Sequence, residues 1–192
     1  MSKARSSGAQ LSGGAIRMTG NGITLAPWAR PLPVPWPLLE RELSDGGCYL
    51  LLLELPERCR IAVGSLGEVD FPKGHYVYVG SARRNLSARV ERHRRLRKTL
   101  HWHVDHLRAA CRLVAALPVM TADDLECDLA RAVGEAACGA TPRFGSSDCA
   151  CPSHLFRFRG DPRRLPAFQE LLQRFRIDRL EELLPAPAII QP

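Results

Sequence analysis

The sequence is short of the features that define several protein classes. Its longest unbroken apolar run outside the proline-interrupted amino-terminal stretch is Cys48 to Leu53, six residues. A helix that spans a bilayer needs roughly 20, so no membrane partner is expected. The first 30 residues lack the apolar core of an export signal. The seven cysteines follow no regular framework, so they read as reduced thiols or metal ligands in the cytoplasm, not as a secreted disulfide scaffold. No internal repeat is present. What remains is a chain of 192 residues, 45% hydrophobic and 24% charged. That balance suits one ordinary globular domain with tails and excludes disorder throughout.

The positive charge is concentrated. The chain carries 27 Lys and Arg against 20 Asp and Glu. Within Arg83–Lys98 there are eight basic residues, Arg83, Arg84, Arg89, Arg92, Arg94, Arg95, Arg97 and Lys98, against Glu91 alone. The remainder is neutral, so the whole excess sits in one short segment. Such a cluster points to a polyanion site; the alternative is a solvated arginine-rich face with no partner.

Three stretches differ in character. Residues 1–45 are rich in Ser, Gly and Pro, with Pro31, Pro33, Pro35 and Pro37 at alternate positions. Prolines so spaced supply no ladder donors, so this part is expected to be a flexible extension, with Met18 as a second candidate start beside Met1. Residues 46–160 form the expected folded domain. Cys48–Leu55 is apolar on both faces like a central strand. Arg60–Gly64 reads as its hairpin partner, and His75–Gly80 as a third strand with Tyr76 and Tyr78 on one face. A basic helix is expected from a cap at Asn85 to Lys98. Its stripe is Leu86, Val90, His93 and Leu96, and Arg89 falls inside that stripe. A buried arginine is costly without an anionic partner, which singles Arg89 out from its neighbours. His101–Leu107 reads as helical, and Cys111–Val119 as an apolar, β-prone run with a proline at its end. A further helix opens at Thr121 and stops at Gly139, with Glu126 on the shoulder of its apolar face. The stretch 144–154 reads as a loop and Leu155–Arg159 as an edge strand. Residues 161–192 hold an amphipathic helix marked by Phe168, Leu171, Leu172 and Phe175. The fold class is therefore α/β of the α+β kind: a small, largely antiparallel sheet of three or more strands flanked by helices.

Tyr78-Val79-Gly80, followed after a short segment by Arg89 in the first helix, resembles the second half of the GIY-YIG nuclease motif. Gly47-Cys48-Tyr49 resembles the first half. His101-Trp102-His103-Val104-Asp105 and the run from Phe144 to Phe156 resemble the small Uri-type branch of that superfamily. Members of this branch occur alone or fused to endonuclease III-type repair glycosylases. The resemblance covers about Gly46 to Arg159 and implies a GIY-YIG-like fold. It also implies phosphodiester hydrolysis in DNA, or less readily RNA, in repair or removal of foreign DNA. Tyr49 and Tyr78 would line the site and orient or activate water, and Arg89 would contact the scissile phosphate. Glu126 would bind Mg²⁺ or Mn²⁺, a hard cation suited to one carboxylate plus water and substrate oxygens.

The residues add three readings of their own. His93, one helical turn after Arg89, reads as a second phosphate contact or orienting group, or else as a packed core histidine. Arg83, Arg84, Arg92, Arg94, Arg95 and Lys98 are expected to attract nucleic-acid phosphates. Cys149, Cys151 and His154 bring thiolates and an imidazole together as a zinc loop does, the alternative being a turn packed by small buried cysteines. A closed zinc site needs a fourth ligand, for which Cys111, Cys127, His101, His103 and His106 are candidates. Cys127 points away from the predicted core face, which counts against it. Two other functions compete with an enzyme: a non-catalytic nucleic-acid-binding module, and an accessory of a repair glycosylase.

Overall fold

The computed structural model describes residues 44–178 and two short strands, 16–19 and 22–25. These strands, β1 (Ile16–Thr19) and β2 (Gly22–Leu25), pair antiparallel. They lie in the stretch expected to be an unstructured extension, where apolar alternation over four residues is too brief to stand out. The expectation for Pro31–Pro37 lies outside the described residues.

The central sheet is antiparallel throughout, in the order β7-β3-β6-β9-β8. Its strands are β3 (Gly47–Leu55), β6 (Gly74–Ala82), β7 (Arg112–Met120), β8 (Gly139–Ala140) and β9 (Leu155–Phe158). Strand β3 lies between β6 and β7 and is almost wholly buried, as its unbroken apolar run implies. Pro118 is accommodated because β7 is an edge strand. The architecture is α+β.

One pairing differs from expectation. The segment 60–64 does not pair with β3; β4 (Cys59–Ala62) instead pairs with β5 (Glu68–Phe71) as a separate two-stranded sheet. Proximity in sequence favoured the hairpin, but the longer apolar strand β6 buries more surface against β3.

Alternation along β3 and β6 divides the core into two layers. Leu51, Leu53 and Leu55 pack with Tyr76 and Phe71 on one face, with α1 (Leu86–Arg94) and α2 (His103–Arg108). Leu50, Leu52, Val77 and Val79 face α3 (Glu126–Ala136) and α4 (Pro166–Gln173) on the other. Phe168 and Leu171 anchor α4 there. Helix α3 begins at Glu126, later than the expected start at Thr121, whose hydroxyl instead accepts the Asp123 amide in a local turn.

Helix α1 is held at both ends by distant residues. Asn85 occupies the cap position without a side-chain bond. The Asp45 carboxylate accepts from the Ser87 amide and hydroxyl in its place. The helix ends at Arg94, four residues short of the expected Lys98, where the Arg108 guanidinium donates to the His93 and Arg94 carbonyls. Leu96, expected on the buried stripe, lies beyond this end and is 61% exposed.

Candidate functional site

The β3–β6 register pairs Tyr49 with Gly80 and Leu51 with Tyr78. Both phenols therefore leave the same face of the sheet, one diagonal step apart, with ring centroids 6.4 Å from each other. Gly80 makes this possible. A Cβ there would lie 2.6 Å from the Tyr49 ring and hydroxyl. Gly145, in the left-handed region at φ +72°, likewise brings the 144–154 loop against the Tyr78 ring, where a Cβ would approach to 2.8 Å.

Behind Tyr49 stands a buried polar chain. The Tyr49 hydroxyl is 2.9 Å from His93 Nε2, and His93 Nδ1 is 3.6 Å from Asp105 Oδ1. His93 is completely buried, so of its expected roles the phosphate contact is excluded and the orienting role fits the geometry. Burial, helped by the Lys98 charge, lowers its pKa to about 4 despite Asp105, which keeps the ring neutral. Burial by itself would raise the pKa of the Asp105 carboxyl. Lys98, the His101 and Trp102 amides and Arg92 outweigh that effect and hold it well below the usual carboxylate range. Lys98 Nζ is 2.6 Å from Oδ1 and Arg92 Nη1 3.0 Å from Oδ2. Arg92 and Lys98, expected to face nucleic acid, are thus committed to Asp105. Arg83, Arg84, Arg94 and Arg95 are exposed.

In front of the phenols is a cleft of about 330 Å³ lined by Tyr49, Tyr78, Ser81, Arg89, Trp102, His103, Glu126 and Asp148, among others. The Arg89 guanidinium lies over the Trp102 ring, 4.7 Å from its centroid. The ring fixes the long side chain, as a cation–π contact does. Glu126 enters from the first turn of α3. It accepts a short hydrogen bond from the Ser81 hydroxyl and sits 3.1 Å from His154 Nδ1. Burial would raise its pKa, but the bonds from His154 and Ser81 and the Arg89 charge leave it below the ordinary glutamate value. Burial pushes both phenols above the ordinary tyrosine value, although Arg89 offsets part of the effect. A second cleft of about 570 Å³ shares Ser81, Glu126 and Asp148 and adds Arg83. Tyr49, Tyr78, Arg89 and Glu126 thus meet at one place, with His93 behind them. Sequence reasoning singled out neither Ser81 nor Asp148, although Ser81 follows Tyr78-Val79-Gly80 and Asp148 lies in the 144–156 run. The 101–105 motif pointed to Asp105, but its capture of Arg92 and Lys98 was not expected.

On the far side of His154 lies a second cluster. Ligand atoms of Cys127, Cys149, Cys151 and His154 all fall within 4.8 Å of one another, so these four side chains can hold a metal ion. Cys127 supplies the missing fourth position. Pointing away from the core face is what carries its thiol to the 144–154 loop. Cys111 lies elsewhere, in the core layer with Leu107 and Val104.

Among the described residues, no helix is long and apolar enough to cross a membrane. A family model described as "Domain of unknown function DUF123" matches residues 48–177. No curated protein and no solved structure matches the chain.

Proposed function

The chain belongs to the DUF123 family, and we propose that it is a metal-dependent endonuclease hydrolysing phosphodiester bonds in DNA, in repair or removal of foreign DNA. We read the family as a Uri-type branch of the GIY-YIG-like nucleases. The observation that carries this reading is the convergence of Tyr49, Tyr78, Arg89 and Glu126 on one open cleft. A surface that only binds phosphates needs arginines. It does not need two phenols and a carboxylate beside them.

The donor set fits a hard divalent cation. Glu126 Oε2 accepts from Ser81 and Oε1 faces His154 Nδ1, so each oxygen keeps a lone pair for a cation, and Asp148 lines the same cleft. Glu126 with Asp148 would hold Mg²⁺ or Mn²⁺, which when bound polarises phosphate oxygen and makes water more acidic. The remaining work belongs to the chain. Burial keeps the Tyr49 phenol protonated at neutral pH, so it takes a proton from attacking water only as its own passes to His93 Nε2. Asp105, beside Nδ1, stabilises the imidazolium that results. Arg89 balances charge growing on the phosphate oxygens, for which its planar fork is suited. Tyr78 walls the cleft and supports the Tyr49 ring.

The test is incubation with single-stranded, duplex and branched DNA, and with RNA, in Mg²⁺, in Mn²⁺ and in chelator. Cleavage is expected with metal and not with chelator. Glu126→Gln is expected to abolish it while leaving DNA affinity nearly intact. Binding without cleavage under every condition would leave a nucleic-acid-binding module.

A further inference from the structure

We propose that Cys127, Cys149, Cys151 and His154 bind one structural zinc ion, and that this ion, through His154, fixes the orientation of Glu126 in the cleft. The first part stands on geometry. Tetrahedral zinc, with Zn–S near 2.3 Å and Zn–N near 2.0 Å, holds its ligand atoms roughly 3.5–3.8 Å apart. His154 Nε2 and Cys149 Sγ are already 3.5 Å apart, and the four ligand atoms lie within 4.8 Å. Three thiolates and an imidazole form a closed set that selects zinc over the hard cations. Cys127 comes from the first turn of α3, and Cys149, Cys151 and His154 from the 144–154 loop that leads into β9. The ion therefore ties the helix to the loop.

The second part follows from the two nitrogens of one ring. With Nε2 on the metal, the remaining proton of His154 must sit on Nδ1, which is 3.1 Å from Glu126 Oε1. The ring then donates to the carboxylate. Without the metal the proton is free to sit on Nε2, toward Cys149, leaving a lone pair facing the carboxylate. A carboxylate–histidine–zinc chain of this kind fixes the tautomer and strengthens the metal site in return. Glu126 and Cys127 are neighbours on α3, so the turn that delivers the carboxylate is pinned by the same ion. His154 is accordingly a positioning residue. Its effect on cleavage rests on the nuclease reading, whereas its effect on zinc does not.

The full chain, purified under reducing conditions, is expected to contain about one zinc per molecule. Cobalt in its place is expected to show the absorption of a tetrahedral thiolate site. Glu126→Gln is expected to weaken zinc binding by about 10–100-fold, the usual effect of removing an outer partner. Cys127→Ser is expected to weaken it further. His154→Cys keeps four ligands but loses the Nδ1–H. It is expected to retain zinc and wild-type melting and to cleave DNA more slowly. Folded protein without zinc, or a disulfide among the three cysteines, overturns the site. Unchanged zinc affinity in Glu126→Gln overturns the link, and so does undiminished cleavage by His154→Cys. If the wild-type protein cuts no substrate, the nuclease reading fails alone and the zinc affinities still decide this proposal.

Discussion

Tyr49 shows how one side chain joins sequence pattern to chemistry. Its place on a central strand was legible because strand alternation and the Gly-Cys-Tyr segment are local, whereas its pairing opposite Gly80 was not. Its partner His93 was legible only as a position on a helix face. Which of its roles applies depends on complete burial, a property of the packed layers. Two substitutions follow from this geometry. Tyr49→Phe removes the group that relays the proton and leaves His93 Nε2 buried without its partner. Cleavage at saturating DNA is expected to fall a hundredfold or more, DNA affinity to stay near wild type, and stability to drop by about 1–3 kcal/mol. Gly80→Ala places a methyl group 2.6 Å from the same ring and is expected to cut the cleavage rate while changing DNA affinity little. Single-turnover rates beside equilibrium binding check both, and an equal loss in rate and affinity would sink the assignment of Tyr49 to chemistry.

Apart from Arg89, the basic residues of 83–98 read in sequence as one phosphate-attracting set, and the structure divides that set. Its charge count was visible in sequence; the destination of each charge was not. The anion that claims Arg92 and Lys98 is Asp105, thirteen residues after Arg92 and seven after Lys98, and nothing in helical periodicity reveals it. The same limit explains the β4 pairing and the meeting of Cys127 with the 144–154 loop. Strand identity is local, but register and partners are set by segments brought from far along the chain. The division predicts opposite phenotypes. Lys98→Met leaves a buried carboxylate short of a cation and is expected to cost on the order of 3–5 kcal/mol of stability. Replacing exposed Arg83, Arg84, Arg94 and Arg95 by Gln is expected to leave melting almost unchanged. Among the described residues, the ion pair involved is Arg94 with Glu91, a long surface interaction of little energy. DNA binding by that variant is expected to weaken for all sequences, with a salt slope lower by roughly one for each phosphate no longer neutralised. Denaturant melts and salt-titrated binding separate the two. Normal stability in Lys98→Met would show that Asp105 is not the centre the distances indicate.

The whole molecule encloses a titratable histidine between its sheet and helices, and so its stability carries a pH signature. His93 is faced by Tyr49 and Tyr78 from the sheet, Arg89 and Arg92 from α1, Lys98 from the segment that follows, and Trp102 and Asp105 around the start of α2. In the fold its pKa is about 4, against 6.5 for an ordinary histidine. Between these values the unfolded chain takes up a proton that the folded protein refuses. Unfolding is therefore coupled to proton uptake, and stability rises with pH across this window and levels off above it. On acidification from pH 7 to pH 4 this group alone is expected to remove about 3 kcal/mol, at 1.36 kcal/mol per pK unit. Asp105 and Glu126, whose pKa values are lowered in the fold, withdraw their stabilisation at the acid end of this range or below it. Burial lowers the His103 pKa as well, adding a slope of the same sign. The His93 share is therefore read as the difference between wild type and His93→Gln. Urea unfolding from pH 4 to 7 is expected to give a steeper rise for the wild type, with the two curves parallel above pH 7. Parallel curves over the whole range would mean that the imidazole takes up its proton in the fold as readily as in the unfolded chain. The Tyr49–His93 relay would then lose its resting state, because a ring already protonated at Nε2 has no place for the phenolic proton.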